Sequence, residues 1–377
     1  MNILFLSHTF DNGGVEKNIS QLVLSFKKRA SVPINVKVVS LLGKGPLYDA
    51  EFCKCLMPLN LNVQKIRKFK FFSYILILLF LPVLIFRLKK EVKNFSPQVV
   101  CSNMWLSDIL ASLLKHNEEF KLVSIQHDII KINFLLTYFK TIALKRMNNV
   151  VAVSCTVKKF LVDYFKVPEN KIKLIYNGID YKKFESCKKE NLNAPLVLGT
   201  IARLDKIKGH ILVLEALKLL SSQGVALPQY IIVGDGPEKN ILHTFVSQNN
   251  LKNVLFVGNV VDISVWLKQI DIFVLPSKSE GMGIAIIEAM LAKKLIIASD
   301  MPTIKELIIN KETGLLINPV DSLKLAETIL WTLSHRDEIN IIKNNSYEWI
   351  KSNEKIFESY NSTSKYLDVF GIPYEQI

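Results

Sequence analysis

Residues 271–290 read DIFVLPSKSEGMGIAIIEAM. An apolar run, Asp271–Leu275, stops at Pro276. A polar loop carrying Gly281 and Gly283 follows, and from Ile284 to Met290 the chain is apolar again apart from Glu288. An unbroken apolar strand, as opposed to an alternating one, marks burial on both faces, as in a parallel sheet covered by helices. Strand, glycine loop and apolar helix in that order make half of a βαβ unit.

The same grammar recurs in both directions. The sequence predicts strands near Asn2–Ser7, Asn35–Leu41, Gln98–Ser102, Lys121–Ile125, Val150–Val153 and Ile172–Ile175 in the first half. In the second half they fall near Leu196–Ala202, Gln229–Val233, Val254–Val257, Asp271–Leu275, Leu295–Ala298 and Leu315–Ile317. Segments of helical length separate them, so the expected fold class is α/β, with two doubly wound Rossmann-like domains facing a central cleft. The boundaries read as 1–180 and 190–345. Asn177-Gly178 and the polar run to Asn193 form the linker, and the aromatic-rich stretch 346–377 is expected to pack back on the first domain.

The chain's 377 residues suit two domains, and 49% hydrophobic with 22% charged residues excludes a disordered chain. Charge is lopsided. Residues 1–185 hold 28 basic and 13 acidic side chains against 20 and 21 in the remainder, so the whole excess of +14 lies in the first half. That half is expected to face an anionic surface or ligand. The five cysteines make no even framework, and Cys53-Lys54-Cys55 lacks supporting His ligands, so reduced thiols are expected. The opening Met-Asn-Ile-Leu-Phe-Leu-Ser reads as a strand, not a signal sequence. Phe71–Phe86 is the one long uncharged apolar run, sixteen residues interrupted by Pro82 and too short to span a bilayer as a helix. Lys65, Arg67, Lys68 and Lys70 precede it, and Arg87, Lys89, Lys90 and Lys93 follow. An interfacial helix with lysines on anionic headgroups fits this pattern better than a span; a helix buried in the first domain is the alternative.

Open α/β sheets bind ligands beyond the carboxyl ends of their strands. At that edge the second domain delivers Arg203 and Lys208, between a strand and a helix N-terminus. A guanidinium, an ammonium and a helix dipole suit a diphosphate, although a solvated basic turn has the same composition. Gly281 and Gly283 let backbone N–H groups approach a ligand. Glu288, inside an apolar helix, needs a partner unless it faces solvent, and sugar or ribose hydroxyls are good partners.

Taken together these residues resemble the retaining glycosyltransferases of the GT-B fold. The resemblance rests on Arg203-x4-Lys208 and on Glu280-Gly-x-Gly-x4-Glu288, two glutamates with seven residues between them. GTIARLDKIKGH (199–210), IIVGDGPE (231–238), FVGN (256–259) and SDMPTIKELI (299–308) support it. So do Asn12-Gly13-Gly14-Val15-Glu16, Gln126-His127-Asp128, VAVS (151–154) and IYNGID (175–180) in the first half. The resemblance implies that Arg203 and Lys208 hold the donor diphosphate, Glu288 the ribose and Glu280 the sugar ring. The amides of Gly281, Met282, Gly283 and Ile284 would help hold sugar and phosphate, and the Gly258–Val260 turn would hold the base. Gly13 and Gly14 would approach the diphosphate, and His127 would reach the transferred sugar.

The activity so implied is transfer of a hexosyl or N-acetylhexosaminyl group from a nucleotide-sugar, expected to be UDP-linked, with retention of configuration. No cofactor is expected beyond the donor substrate. No metal is expected either, because no Asp-x-Asp occurs and the cations can stabilise the leaving diphosphate. The basic, apolar first half suggests a lipid-linked or polysaccharide acceptor and a protein peripheral on the cytoplasmic face of a membrane. Nucleic acid is not an expected partner, since no reading module is recognisable. A nucleotide-sugar epimerase and a non-catalytic sugar-binding partner subunit are the alternatives.

Overall fold

A strand buried on both faces is mostly apolar, and the polar residues it does bury, here Ser7, Ser102, Asn103, Ser124, Gln126 and Ser299, fall toward the carboxyl ends. Residues 3–7, 99–103, 122–126, 272–275 and 295–299 are each buried without a break. The computed structural model describes residues 1–7, 14–41, 55–58, 70–114, 120–187, 195–318 and 321–374. The chain divides into two units, Met1–Asn177 with Tyr360–Ile377, and Gly178–Ser359.

The first unit is built on β1 (Asn2–Ser7), β2 (Asn35–Ser40), β3 (Leu56–Pro58), β4 (Val99–Asn103), β5 (Lys121–Gln126), β6 (Asn149–Ala152) and β7 (Ile172–Leu174). They form one sheet in the order β3-β2-β1-β4-β5-β6-β7 with all pairs parallel. The strand β3 is absent from the sequence-based expectation: it is three residues long at the sheet's edge, too short to show a pattern. Connecting helices are α1 (Gly14–Arg29), α2 (Lys70–Phe95), α3 (Trp105–Leu114), α4 (Phe134–Arg146) and α5 (Cys155–Asp163). Pro82 does not interrupt α2. It lies on an exposed position, where a proline is tolerated because a freed carbonyl can turn toward water. Leu84, Leu88 and Val92 of that helix are buried, four residues apart, while Val83 and Phe86 are exposed.

The second unit contains α6 (Tyr181–Glu185), β8 (Val197–Ile201), α7 (His210–Ser222), β9 (Gln229–Val233), α8 (Lys239–Gln248), β10 (Val254–Gly258), α9 (Ser264–Gln269) and β11 (Ile272–Leu275). It continues with α10 (Ile284–Leu291), β12 (Leu295–Ser299), α11 (Pro302–Lys305), β13 (Leu315–Ile317), α12 (Ser322–Ser334), α13 (Arg336–Ser352) and α14 (Glu354–Phe357). Its sheet is again all parallel, in the order β10-β9-β8-β11-β12-β13. In both sheets the chain starts near the middle, works out to one edge and then crosses over to the other side. Each therefore has a switch point where ligand crevices form, at β1/β4 and at β8/β11.

Two boundaries differ from the sequence reading. Residues 178–187 belong to the second unit: Ile179 N–H donates to the Phe357 carbonyl at 2.8 Å, and Tyr181, Phe184 and Cys187 are buried. The stretch expected to return to the first unit from residue 346 does so only from Tyr360. Helix α13 stays with the second core through Ile339 and Ile342, and Tyr347 donates to Glu185 at 2.9 Å. The final helix, α15 (Ser359–Phe370), is what reaches the first unit. Phe370 meets Phe26 edge-on at 5.4 Å and Phe5 at 6.0 Å, and the Arg29 guanidinium stacks 3.7 Å over Tyr360.

Candidate active site

At the second unit's switch point, β8 hands the chain to Arg203 and β11 hands it to Pro276. The loop after β8 is tied at several points. Leu204 N–H donates to the Asp235 carbonyl at 3.0 Å, linking it to the loop after β9. The Asp205 side chain accepts from Ile207 N–H at 3.2 Å, and Lys208 N–H donates to the Asp205 carbonyl at 2.9 Å. Gly209 then turns with φ +73°, so close to the neighbouring loop that an added Cβ would lie 2.2 Å from the Pro276 carbonyl oxygen. Lys278 N–H closes the other side on the Ile207 carbonyl at 2.7 Å. The two loops are thereby locked at backbone level before any side chain is considered.

That lock brings Lys208 Nζ to 2.6 Å from Glu280 Oε1, and Ser277 Oγ donates to the same oxygen at 2.8 Å. The Glu280 side chain is only 9% exposed, against 27% for Lys208, so the pair sits in a lowered dielectric with one ammonium proton engaged and two others available. Gly281, Met282 and Gly283 are buried beneath the start of α10, and Glu288, a turn further on, is 5% exposed. Arg203 is half-buried at the head of the same loop as Lys208. The Gly258–Val260 turn lies at the same carboxyl edge, two strands from β8, and the Gly258 carbonyl accepts from Gly234 N–H at 2.9 Å.

His210, the first residue of α7, is a supporting residue the sequence reading passed over. Its Nε2 lies 3.1 Å from the Arg203 carbonyl, and because a carbonyl can only accept, that nitrogen carries the proton. Burial pulls its pKa down to about 4, so the ring is neutral at physiological pH. Ser277 was likewise missed.

In the first unit, His127 follows β5 and places Nε2 3.0 Å from Asn103 Oδ1 at the end of β4. Burial first, and the Lys140 charge second, depress its pKa to about 4. The ring is therefore neutral. Beneath it lies a network that the sequence reading did not identify. Asp108, fully buried on α3, accepts from Ser102 Oγ at 2.7 Å, Ser124 Oγ at 2.6 Å and Gln126 Nε2 at 2.9 Å. Desolvation raises its pKa against the opposing pull of Lys140 and these hydrogen bonds. An aspartate inside the apolar stretch WLSDILASLL (105–114) was the available signal.

Of the other sequence candidates, Gly14 is the first residue of α1, and Gly13, Lys65, Arg67 and Lys68 lie outside the described residues. Lys70 opens α2, and Arg87, Lys89, Lys90 and Lys93 are exposed near its end. Among the described residues no group of three or more His, Cys, Asp or Glu side chains is placed to hold a metal ion, and no helix is long and apolar enough to cross a membrane.

Residues 12–183 match the family model of glycosyltransferase family 4, and residues 182–349 match that of glycosyl transferases group 1. The two doubly wound units have the GT-B fold, and each carries a match to a glycosyltransferase family model. The group 1 match falls within the second unit. It is 26% identical over 211 residues to the capsular polysaccharide biosynthesis glycosyltransferase CapM of Staphylococcus aureus, covering 52% of this chain and 55% of CapM. It is 33% identical over 152 residues to the O-antigen biosynthesis glycosyltransferase WclY of Escherichia coli, covering 38% and 42%. The chain thus spans about half the length of these relatives. HepE of Anabaena, solved with UDP-glucose, shares the fold with a TM-score of 0.77 over 98% of this chain and 99% of HepE, at 19% identity.

Proposed function

We propose that the chain transfers a sugar from a UDP-sugar to a lipid-linked or polysaccharide acceptor at a membrane surface, in the synthesis of a capsule, O-antigen or similar polymer. One observation carries the reading: the half-buried Lys208–Glu280–Ser277 cluster at the β8/β11 switch point, at the head of the glycine loop that opens α10. Breaking the anomeric C–O bond leaves an oxocarbenium-like sugar and a diphosphate with new negative charge. Arg203 and the two remaining Lys208 protons meet that charge, and the amides of Gly281 to Ile284 add fixed dipoles that need no reorganisation. Glu280, already held by Lys208 and Ser277, presents its other oxygen to a sugar hydroxyl. Glu288 is assigned to the ribose, and the Gly258–Val260 turn to the base.

His127, neutral and oriented by Asn103, is given the transferred sugar, where an imidazolium would repel developing positive charge. The leaving phosphate takes the acceptor proton on the departing face, which retains configuration and uses no enzymatic nucleophile. The cations in place make a metal unnecessary in this scheme. HepE was solved with UDP and with UDP-glucose, and CapM and WclY are named for surface polymers, which supports donor and pathway alike.

A thermal-shift panel of UDP, GDP and their sugars tests the donor: UDP-linked ligands should raise melting, and a response confined to GDP would overturn the nucleotide assignment. NMR of the product should show the donor's anomeric configuration, unchanged turnover in EDTA, and no sugar isomerisation without acceptor. Inversion, strict metal dependence or acceptor-free isomerisation would each remove a part of the reading.

A further inference from the structure

Helix α4 begins seven residues after His127 and leaves an apolar face uncovered. Phe134 is 86% exposed, Leu135 58%, Tyr138 55% and Phe139 45%. Those positions lie one helical turn apart in pairs, so they share one side of the helix, and the same side continues into exposed Lys145 and Arg146. The opposite side, with Lys140, Ala143 and Leu144, is buried. Contiguous exposed aromatics of this size mark an interaction surface. Helix α2 packs on α3 and α3 on α4, so the exposed Val83 and Phe86 belong to the same helical layer. Residues 81–95 and 130–146 together carry eight basic side chains, of which only Lys140 is buried, and a single acid, Glu91, which is held by Lys37 at 2.5 Å.

We infer that this α4 face is a membrane-docking surface for an anionic lipid bilayer, inserting Phe134, Leu135, Tyr138 and Phe139 into the acyl boundary while the surrounding lysines engage headgroups. It rests on the reading that the acceptor is membrane-borne and adds the element that inserts. Charge decides among occupants. A second copy meeting this face across a two-fold axis would press two strongly basic surfaces together. Single-stranded nucleic acid also suits lysines with aromatics, but it stacks on rings and gains little from Leu135 or Val83. Anionic lipid satisfies both the cations and the aliphatic side chains.

The test is flotation of the full-length protein with phosphatidylcholine vesicles, with and without phosphatidylglycerol at about 30 mol %. Binding is expected only with the anionic lipid. The double variant F134S/F139S should lose about tenfold or more in partitioning, with unchanged melting and an unchanged thermal shift with UDP, since both side chains are exposed. In Phe134→Trp, emission should move to the blue on adding anionic vesicles. If the double variant floats like wild type while K89E/K90E does not, α2 alone carries membrane contact and the α4 inference falls while the membrane reading stands. If wild type ignores both vesicles yet still responds to UDP, both fall and the donor site survives. Self-association abolished by F134S/F139S, or an oligonucleotide bound more tightly than vesicles, would give the face to another occupant.

Discussion

Lys208 already has an anionic partner in Glu280, so in the proposed reaction its contribution would come from the protons that Glu280 leaves unused. Lys208→Ala removes that charge and also strands a nearly buried carboxylate beside the incoming diphosphate. We expect kcat/KM to fall by an amount equivalent to about 2–4 kcal/mol, with Arg203→Ala in the same range; near-normal turnover in steady-state kinetics would reject the diphosphate assignment. Glu288→Gln should chiefly weaken donor binding, seen as a smaller UDP-sugar thermal shift at fixed ligand concentration. His210 gives a pH prediction with a definite sign. Its folded pKa of about 4 lies below an unfolded value near 6.5, so the unfolded chain takes up the proton first and stability is lost as pH falls between them. Between pH 7 and 5 this one group should cost about 2 kcal/mol in denaturant unfolding, and His210→Gln, which keeps a donor toward the Arg203 carbonyl, should lose that part of the drop. The candidate residues could be picked out in the sequence because several charged side chains and glycines recur at the ends of strands, although any one such turn could be an ordinary solvated loop. Their partners could not be picked out. That Ser277 shares an oxygen with Lys208, or that Asp108 braces the Gln126-His127 turn, depends on which strands become neighbours.

Two loops far apart in sequence, 203–209 and 276–283, act as one element because their backbones touch at Gly209 and at Lys278. Gly209→Ala therefore carries two penalties: a left-handed φ, worth about 1–2 kcal/mol, and a Cβ driven onto the Pro276 carbonyl. Gly224 provides the control, since it has the same φ of +73° and nothing within 4 Å of its added Cβ. Both variants should lose stability in urea, but only Gly209→Ala should also lose UDP binding; equal binding by the two would mean that the loop contact does not shape the site. Most strands could be placed from sequence to within a residue or so, because each is a short, largely apolar run bounded by polar or glycine-containing segments. What failed at this scale was β3, three residues paired to β2 only, too short to carry any periodicity. Pro82 misled for a different reason. Proline disfavours a helix interior by removing one N–H and crowding the carbonyl four residues back, a cost that the rest of the fold can outweigh, and Pro82 lies on an exposed position of a continuous helix.

For the whole chain, the consequential misreading concerned which unit owns the C-terminal helices. Tyr347, Trp349, Ile350, Phe357 and Tyr360 read as one continuous apolar pattern, and such a pattern records that a face is buried without recording against which core. The structure divides it at Ser359/Tyr360: Tyr181 Oη donates to the Ile350 carbonyl within the second unit, whereas Tyr366, Leu367 and Phe370 fill the first. The core of the first unit is therefore completed by residues that the chain supplies only after the second unit is finished. That core cannot be fully formed until residue 370 is available, which makes the first unit the more exposed of the two to loss of the C-terminus. Phe370→Ala, which opens a cavity against Phe5 and Phe26, should cost about 3–5 kcal/mol. Unfolding of a two-unit chain need not be a single transition, so the cost can be assigned. In urea followed by hydrogen exchange, amides of β1, β4 and β5 should lose protection at lower denaturant in the variant, while those of β8, β11 and β12 keep their midpoint and their stabilisation by UDP. A uniform shift of both sets would mean that the units unfold together and that the division at residue 359 has no energetic counterpart.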